Sequence, residues 1–319
     1  MVKKLFKRLS LGIVGIGLFI GFQQLIELTT WGFCLQKIFA PDLRYNPAWE
    51  VSPLKDEHAL DDLLDQPYFF LRAGSECFAF LSEDGQTVIK FFKLDYTRPF
   101  YFRRGLFLEN HADLAGTLST TYSDLPTMPT FVDTMAKRLL GMREFRIGRT
   151  MRSLKFAYDH LKEETGLIYL HLNPTHHLHK TLILFDANSI AHHVNLDTTH
   201  FVLQHRAHSL TTFFLKAKRS KNDLQAQQGI DSFMQLILGR CKKGFADRDA
   251  INRNFGFIGT QSIETDSGSF ISYPPMQQPR LYKQELFFTT LELREWIVKH
   301  YPDLLPYFDT KLEEELTRA

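Results

Sequence analysis

Cysteine is scarce: Cys34, Cys77 and Cys241 are all that 319 residues contain. Three scattered cysteines, an odd number with no C-x-x-C spacing, exclude a disulfide framework and a cysteine-based metal site. An excess of charge of one sign is lacking too, since 38 Lys and Arg stand against 36 Asp and Glu, a net charge of +2. Bulk charge therefore gives no argument for a nucleic-acid partner. What is plentiful is apolar: 44% of the residues are hydrophobic, and 29 are Phe. A chain of this length and composition is globular and long enough for two lobes or domains.

The N-terminus is different in kind. Lys3, Lys4, Lys7 and Arg8 precede an uncharged apolar run, Leu9–Phe22, which extends through Gln23, Gln24, Leu25 and Leu28. A basic segment before a short apolar run suits a signal peptide, but no clean A-x-A cleavage site follows. The extended run is about 20 residues, enough for a tilted membrane helix. An uncleaved anchor through residues 9–28 is expected, with a cleaved signal or a soluble or interfacial helix as alternatives. The next stretch holds Pro41, Pro47 and Pro53 and a cluster of acids, and reads as a linker with a short helix over His58–Leu64.

Three strands follow. Tyr68–Leu81 reads as strand, tight turn at Gly74-Ser75, strand; Ser82-Glu83-Asp84-Gly85-Gln86 supplies a hairpin turn, and Thr87–Lys93 is the third strand, with Lys90 in a V-I-K run. Residues about 95–140, with three prolines and a Ser/Thr-rich piece, read as an insertion. Helical composition over Arg143–Glu164 puts Leu154, Ala157, Tyr158 and Leu161 on one face, and Gly166 makes a natural stop. Leu167–Leu172 and Leu182–Asp186 are expected to pair as strands, and Phe201–His205 is a third. Nine of the 13 histidines lie between His171 and His208. A transition-metal site is one reading of them, and polar loops, with no acidic or Cys cluster in register, the other.

Ala226–Lys243 is an amphipathic helix with Ile230, Phe233, Met234, Ile237 and Leu238 at three- and four-residue steps, and its basic end (Arg240, Lys242, Lys243) suits a helix C-terminus. It delivers the chain to Gly244-Phe245-Ala246-Asp247-Arg248-Asp249-Ala250-Ile251-Asn252-Arg253-Asn254-Phe255-Gly256-Phe257-Ile258, closed by Asp266-Ser267-Gly268. An acid five residues before an Asn, then a second acid-x-Gly, is the layout of a phosphoryl-transfer site. One carboxylate accepts the proton of a hydroxyl, while an amide oxygen and another carboxylate hold a cation against phosphates. Asp247 with Asn252 has the same spacing. Asp249 with Asn254 is preferred, because Asn254 leads directly into the apolar run.

In this order of elements the chain resembles the protein-kinase-like superfamily, as an atypical bacterial kinase-like or pseudokinase protein with a reduced C-lobe. That family carries V-A-I-K, H-R-D-x-x-x-x-N and D-F-G. The resemblance implies an α+β, two-lobed protein-kinase-like fold: an antiparallel sheet plus helix C in the N-lobe, a small mainly helical C-lobe, and a preceding membrane helix. The implied boundaries are 1–30 anchor or signal, 31–66 linker, 67–204 N-lobe and 205–319 reduced C-lobe. It also implies ATP and Mg²⁺. Lys90 would hold the α and β phosphates and, with Asp249, form the catalytic pair. Gly74 and Ser75 would lie over the phosphates, Gln204 and His205 would meet the adenine edge, and Asn254 and Asp266 would bind the metal. Asp159 is the nearest acid to the helix slot that pairs with Lys90.

The departures from the pattern are specific. Arg72 and Cys77 stand where two glycines of the phosphate loop would be, Asp247 replaces the histidine of H-R-D, Ser267 replaces the Phe of D-F-G, and A-P-E is missing. Three readings follow. One is a membrane-anchored kinase-like enzyme transferring the γ-phosphate of ATP to an unknown hydroxyl acceptor. Another is a catalytically impaired module that binds nucleotide or a protein partner. A membrane-tethered structural protein is a third. The charge rule favours an exported domain, and ATP use favours a cytoplasmic one.

Overall fold

The computed structural model describes residues 28–39, 45–51, 57–74, 76–93 and 147–318. The chain forms two compact units, the first drawn from within 1–45, 55–106 and 173–201, the second from within 46–54, 107–172 and 202–319.

The first unit opens with β1 (Tyr68–Ala73), β2 (Cys77–Ser82) and β3 (Thr87–Phe92), joined antiparallel. The β2–β3 turn forms because Asp84 accepts from Ser82 Oγ at 2.6 Å and from the Gln86 amide at 2.9 Å, and Gly85 takes φ +72°. A glycine bears that left-handed angle without strain. Phe78, Phe80, Ile89 and Phe91 alternate onto one buried face. Phe33 closes edge-on against Phe78 and Phe80, with centroids 5.2 and 5.1 Å away. Ile38, from the helical turn Leu35–Ile38, and Leu60 and Leu64, from α1 (Glu57–Leu64), are buried as well. The stretch with linker composition thus supplies core.

The hairpin of β5 (Thr181–Phe185) and β6 (Ala191–Asn195) joins β1 through β5, in parallel. Its turn is fixed by Asp186, which accepts from the Asn188 and Ile190 amides at 2.9 and 3.0 Å and meets His192 Nε2 at 2.8 Å. Part of the histidine-rich stretch is therefore a strand rather than loop.

The second unit contains helix α2 over 147–160, with Leu154, Ala157, Tyr158 and Leu161 buried along or just beyond it, and a helical turn Lys162–Thr165 ended by Gly166 at φ +63°. β4 (Leu167–His171) follows. After β7 (Phe201–His205) come β8 (His208–Ser209), α3 (Leu210–Arg219) and α4 (Asp223–Lys242). Ser209 and Asn222 cap the two helices, accepting from the Thr212 and Gln225 amides at 3.3 and 3.0 Å. Then come β9 (Phe245–Asp247), β10 (Phe255–Ile258), β11 (Gln261–Glu264) and β12 (Phe270–Ser272), and finally α5 (Pro279–His300) and α6 (Leu305–Thr317). The core here is α4, whose Ile230, Phe233, Met234, Ile237 and Leu238 are all buried, with Phe213 stacked on Phe257 at 3.8 Å.

Three expectations need correction. Within the first unit the strands run in the order β3-β2-β1-β5-β6, and the parallel β1–β5 junction makes the sheet mixed, so the antiparallel sheet of a two-lobed kinase-like fold is not what forms. Leu167–His171 and Thr181–Phe185 do not pair with each other. β5 instead sets Leu184 beside Tyr68, both 0% exposed, so the parallel register continues one buried face. Finally, no helix among the described residues is long and apolar enough to cross a membrane. The longest described helices are α5 and α4, at 22 and 20 residues, and charged side chains interrupt both. The single membrane span through residues 9–28 and the localisation built on it are withdrawn; residues 9–27 of that run lie outside the described residues, as do Ser75 and the insertion at about 95–140.

Candidate active site

Two strand pairs of the second unit build one loop cluster. β9 and β12 pair antiparallel, with Asp247 opposite Phe270. β10 and β11 form a hairpin, with Phe255 opposite Glu264. The loop leaving β9 carries Asp249 and enters β10 through the 3₁₀ turn Asn252–Asn254, while the loop leaving β11 carries Asp266 and enters β12. The pairing of β9 with β12 brings the two loops back together.

Asn254 is the pivot. Its side-chain nitrogen donates to the Asp249 backbone oxygen at 2.7 Å and to Asp249 Oδ2 at 3.2 Å. The same backbone oxygen accepts from the Ile251 amide at 2.9 Å, so both its lone pairs are used. The Asn254 carbonyl in turn accepts from the Thr265 amide at 2.6 Å and from Thr265 Oγ1 at 3.0 Å, which ties the first loop to the residue before Asp266. With its nitrogen committed, the side chain leaves Oδ1 as its uncommitted acceptor among the described residues. Asn254 is 6% exposed, whereas Asp249 and Asp266 are exposed. Asp266 Oδ1 accepts from the Gly268 amide at 3.2 Å, and Ser267 is buried, its carbonyl taking Ser153 Oγ from α2 at 2.8 Å.

Of the two possible registers, the one that joins acid to amide is Asp249 with Asn254. Asp247 is 8% exposed and serves beneath: it accepts from the Asp249 amide at 3.0 Å and from Ser269 Oγ. Burial pushes the Asp247 carboxyl above the usual carboxylate range, and Asp266 adds to the rise, against the pull of the Ser269 and Asp249 hydrogen bonds and of Arg240. Asn252 is held through its backbone, its amide donating to Glu292 of α5 at 2.9 Å.

Behind this cluster lies a buried ion group that the basic end of α4 conceals in sequence. Arg240 is 0% exposed; its Nε is 2.8 Å from Glu264 Oε1 and its Nη2 is 3.0 Å from Glu285 Oε1. Burial pushes the Glu264 carboxyl up to about 8 even against the Arg240 charge, and Asp247 and Glu285 push it the same way. A signal was available. Arg240 follows Ile237 by three residues and Phe233 by seven, which places it on the apolar stripe of its helix.

The remaining expected residues sit as follows. Lys90 is on β3 of the first unit, opposite Ala79 and half-buried. Gly74 closes the β1–β2 turn, its amide donating to Cys77 O at 2.8 Å and its carbonyl accepting from Lys93 Nζ at 2.5 Å. In the second unit Gln204 is buried, its Nε2 donating to Thr165 O at 2.6 Å, while His205 is exposed and held through its backbone, its amide donating to Gly166 O at 2.9 Å. Asp159 pairs with Lys155, one turn earlier on α2, at 2.8 Å. No group of three or more His, Cys, Asp or Glu among the described residues is placed to hold a metal ion by itself.

No protein-family model matches the chain, and no curated protein matches it.

Proposed function

We propose that the loops carrying Asp249, Asn254 and Asp266 bind ATP with Mg²⁺ and transfer the γ-phosphate to a hydroxyl acceptor. The observation that carries this reading is the grip of Asn254 on Asp249 through one nitrogen. It orients a buried amide so that Oδ1 is the atom it offers, next to a loop with an exposed carboxylate. Amide and carboxylate oxygens are hard donors suited to Mg²⁺, which commonly takes one or two protein carboxylates and completes its shell with phosphates and water. A site without an all-protein cage therefore fits a metal that arrives with its nucleotide. When bound, the metal neutralises phosphate charge. Asp249, exposed and fixed at its backbone, orients the acceptor hydroxyl and takes its proton. The spacing shared with the protein-kinase-like superfamily, D-x-x-x-x-N followed by D-x-G, supports the same reading.

A second reading, a catalytically impaired module that binds nucleotide or a protein partner, is favoured by the Lys155–Asp159 pair. It engages within its own helix the acid nearest to the slot that would serve Lys90. One experiment separates the two. Mg·ATP is expected to raise the melting temperature of the full chain, and Asn254→Ala and Asp266→Ala to abolish the rise, with Lys90→Ala measured alongside. No rise at millimolar ATP sinks the nucleotide reading. A rise without detectable phosphate transfer or hydrolysis establishes the second.

A further inference from the structure

We infer that α5 pairs antiparallel with the α5 of a second copy of the chain, with Phe287 and Phe288 at the centre and Arg280 of each copy facing Glu295 of the other. The pairing is independent of the phosphoryl-transfer reading. α5 buries one side in the second unit through Leu286, Thr289, Thr290, Leu293 and Ile297. Its opposite side is apolar as well: Phe288 is 62% exposed, Val298 47% and Phe287 41%, with half-buried Leu291 among them. Gln284, Phe287, Leu291 and Val298 follow at steps of three, four and seven, the spacing of a seam that packs against another helix. Exposed apolar groups gathered on one face mark an interaction surface, whereas single scattered ones do not. The charges say which partner fits. Arg280 and Glu295 are both exposed, Arg280 seven residues before Phe287 and Glu295 seven after Phe288. Seven residues are about two helical turns, so each charge lies in line with its aromatic neighbour. A two-fold axis between the two aromatic residues therefore sets Arg280 against Glu295 twice, as an interface of one patch with its own copy requires. Arg280 is also misplaced for its own helix. It is the second residue of α5, whose first turn holds no acid, and a positive charge there opposes the helix dipole. Glu295 of a second copy supplies the compensation that the first turn of α5 lacks.

The test is sedimentation equilibrium of the full chain, with the folding of each variant checked by circular dichroism. One helix pair makes an interface at the small end of the range, so wild type is expected to pass from monomer to dimer between about 1 and 100 µM. Phe288→Glu should weaken the dimer about thirtyfold or more, the loss at the centre of an interface. Arg280→Glu turns two attractions into two repulsions, and Glu295→Arg does the same, so each should weaken it about tenfold. The double variant Arg280→Glu/Glu295→Arg should regain the wild-type dimer. An equimolar mixture of the two single variants should regain it too, because each then faces the opposite charge on the other. All three positions are exposed, so the substitutions leave the core of the second unit intact. A wild type that stays monomeric through the whole range overturns the inference, whatever else the face binds. A dimer indifferent to Phe288→Glu overturns it, and so do charge variants that neither the double variant nor the mixture restores.

Discussion

Asn254 and Asp249 are joined twice by one nitrogen, at 2.7 Å to the backbone oxygen and 3.2 Å to the carboxylate. The contact fixes both the acid's backbone and the direction in which the amide presents its oxygen. Two variants test its weight. Asn254→Ala removes both bonds from a buried position and should cost about 1–3 kcal/mol, the range for lost hydrogen bonds to a buried or charged group. Asn254→Asp keeps the shape but sets a second carboxylate against Asp249, and should be less stable than the alanine variant at pH 8. Urea unfolding of the three proteins decides it. Equal stability of all three at pH 8 would mean that the contact carries no weight.

Glu264 gives a pH dependence whose sign can be worked out. Burial raises its pKa from 4.5 to about 8 in the folded chain. The folded state thus keeps a proton that the unfolded state gives up, so the group begins to oppose folding above pH about 4.5, and the opposition is complete above about 8. Glu264→Gln holds the neutral form permanently. The stability of wild type relative to this variant should therefore fall between pH 5 and pH 9, by about 5 kcal/mol at most, since each tenfold change in proton affinity is worth about 1.36 kcal/mol. Denaturant titrations of both proteins at the two pH values, compared as a difference, cancel the other titrating groups. A difference that stays flat with pH removes the buried proton from the account.

Much of this architecture is legible in sequence because it rests on local chemistry. Asp84-Gly85 closes a hairpin as its turn residues require, Gly166 stops a helix at φ +63°, and the stripe from Ile230 to Leu238 buries itself. The spacing of Asp249 and Asn254 places them in contact because five residues and one 3₁₀ turn bring the chain back on itself. What is not legible is long-range. Nothing in Leu182–Asp186 says that its neighbour is β1 rather than β4, since periodicity names the buried face but not the partner strand. Arg240 reads as part of the basic end of its helix because its charge outweighs its position on the stripe; only the arrival of Glu264 and Glu285 offsets the cost of its burial.

Gly256 is required by packing rather than by a turn. In the pairing of β10 with β8 it lies opposite Ser209, and a Cβ there would come within 2.8 Å of His208 O and 2.9 Å of Ala207 Cβ. One of these is backbone, so the strand itself must move. Gly256→Ala is expected to cost about 1–3 kcal/mol, the range for overpacking a filled site. Gly239→Ala makes the contrast, because nothing lies within 4 Å of its added methyl group and the position is helical. Thermal unfolding should show a lowered midpoint for the first and an unchanged or raised one for the second. A Gly256→Ala midpoint equal to wild type would show that β8 yields without cost.

Asp197 holds the loop before β5 in the first unit. Its carboxylate accepts from Thr175 Oγ1 at 2.5 Å, from the Leu178 amide at 3.1 Å and from the His179 amide at 3.0 Å, while its own amide donates to Asn195 Oδ1 at 2.9 Å. His179 has φ +49°, an angle that a side chain with a Cβ adopts at a cost unless its surroundings hold it there. A carboxylate gripping two successive amides supplies that hold, and hydrogen bonds to a charged acceptor are about twice as strong as neutral ones. Asp197→Ala should therefore cost about 2–4 kcal/mol, summed over the lost charged bonds, and should speed hydrogen exchange at Leu178 and His179 specifically. Asp197→Asn keeps one acceptor oxygen and is expected to fall between. If exchange at the two amides is unchanged in the alanine variant, the loop is held by something other than this side chain.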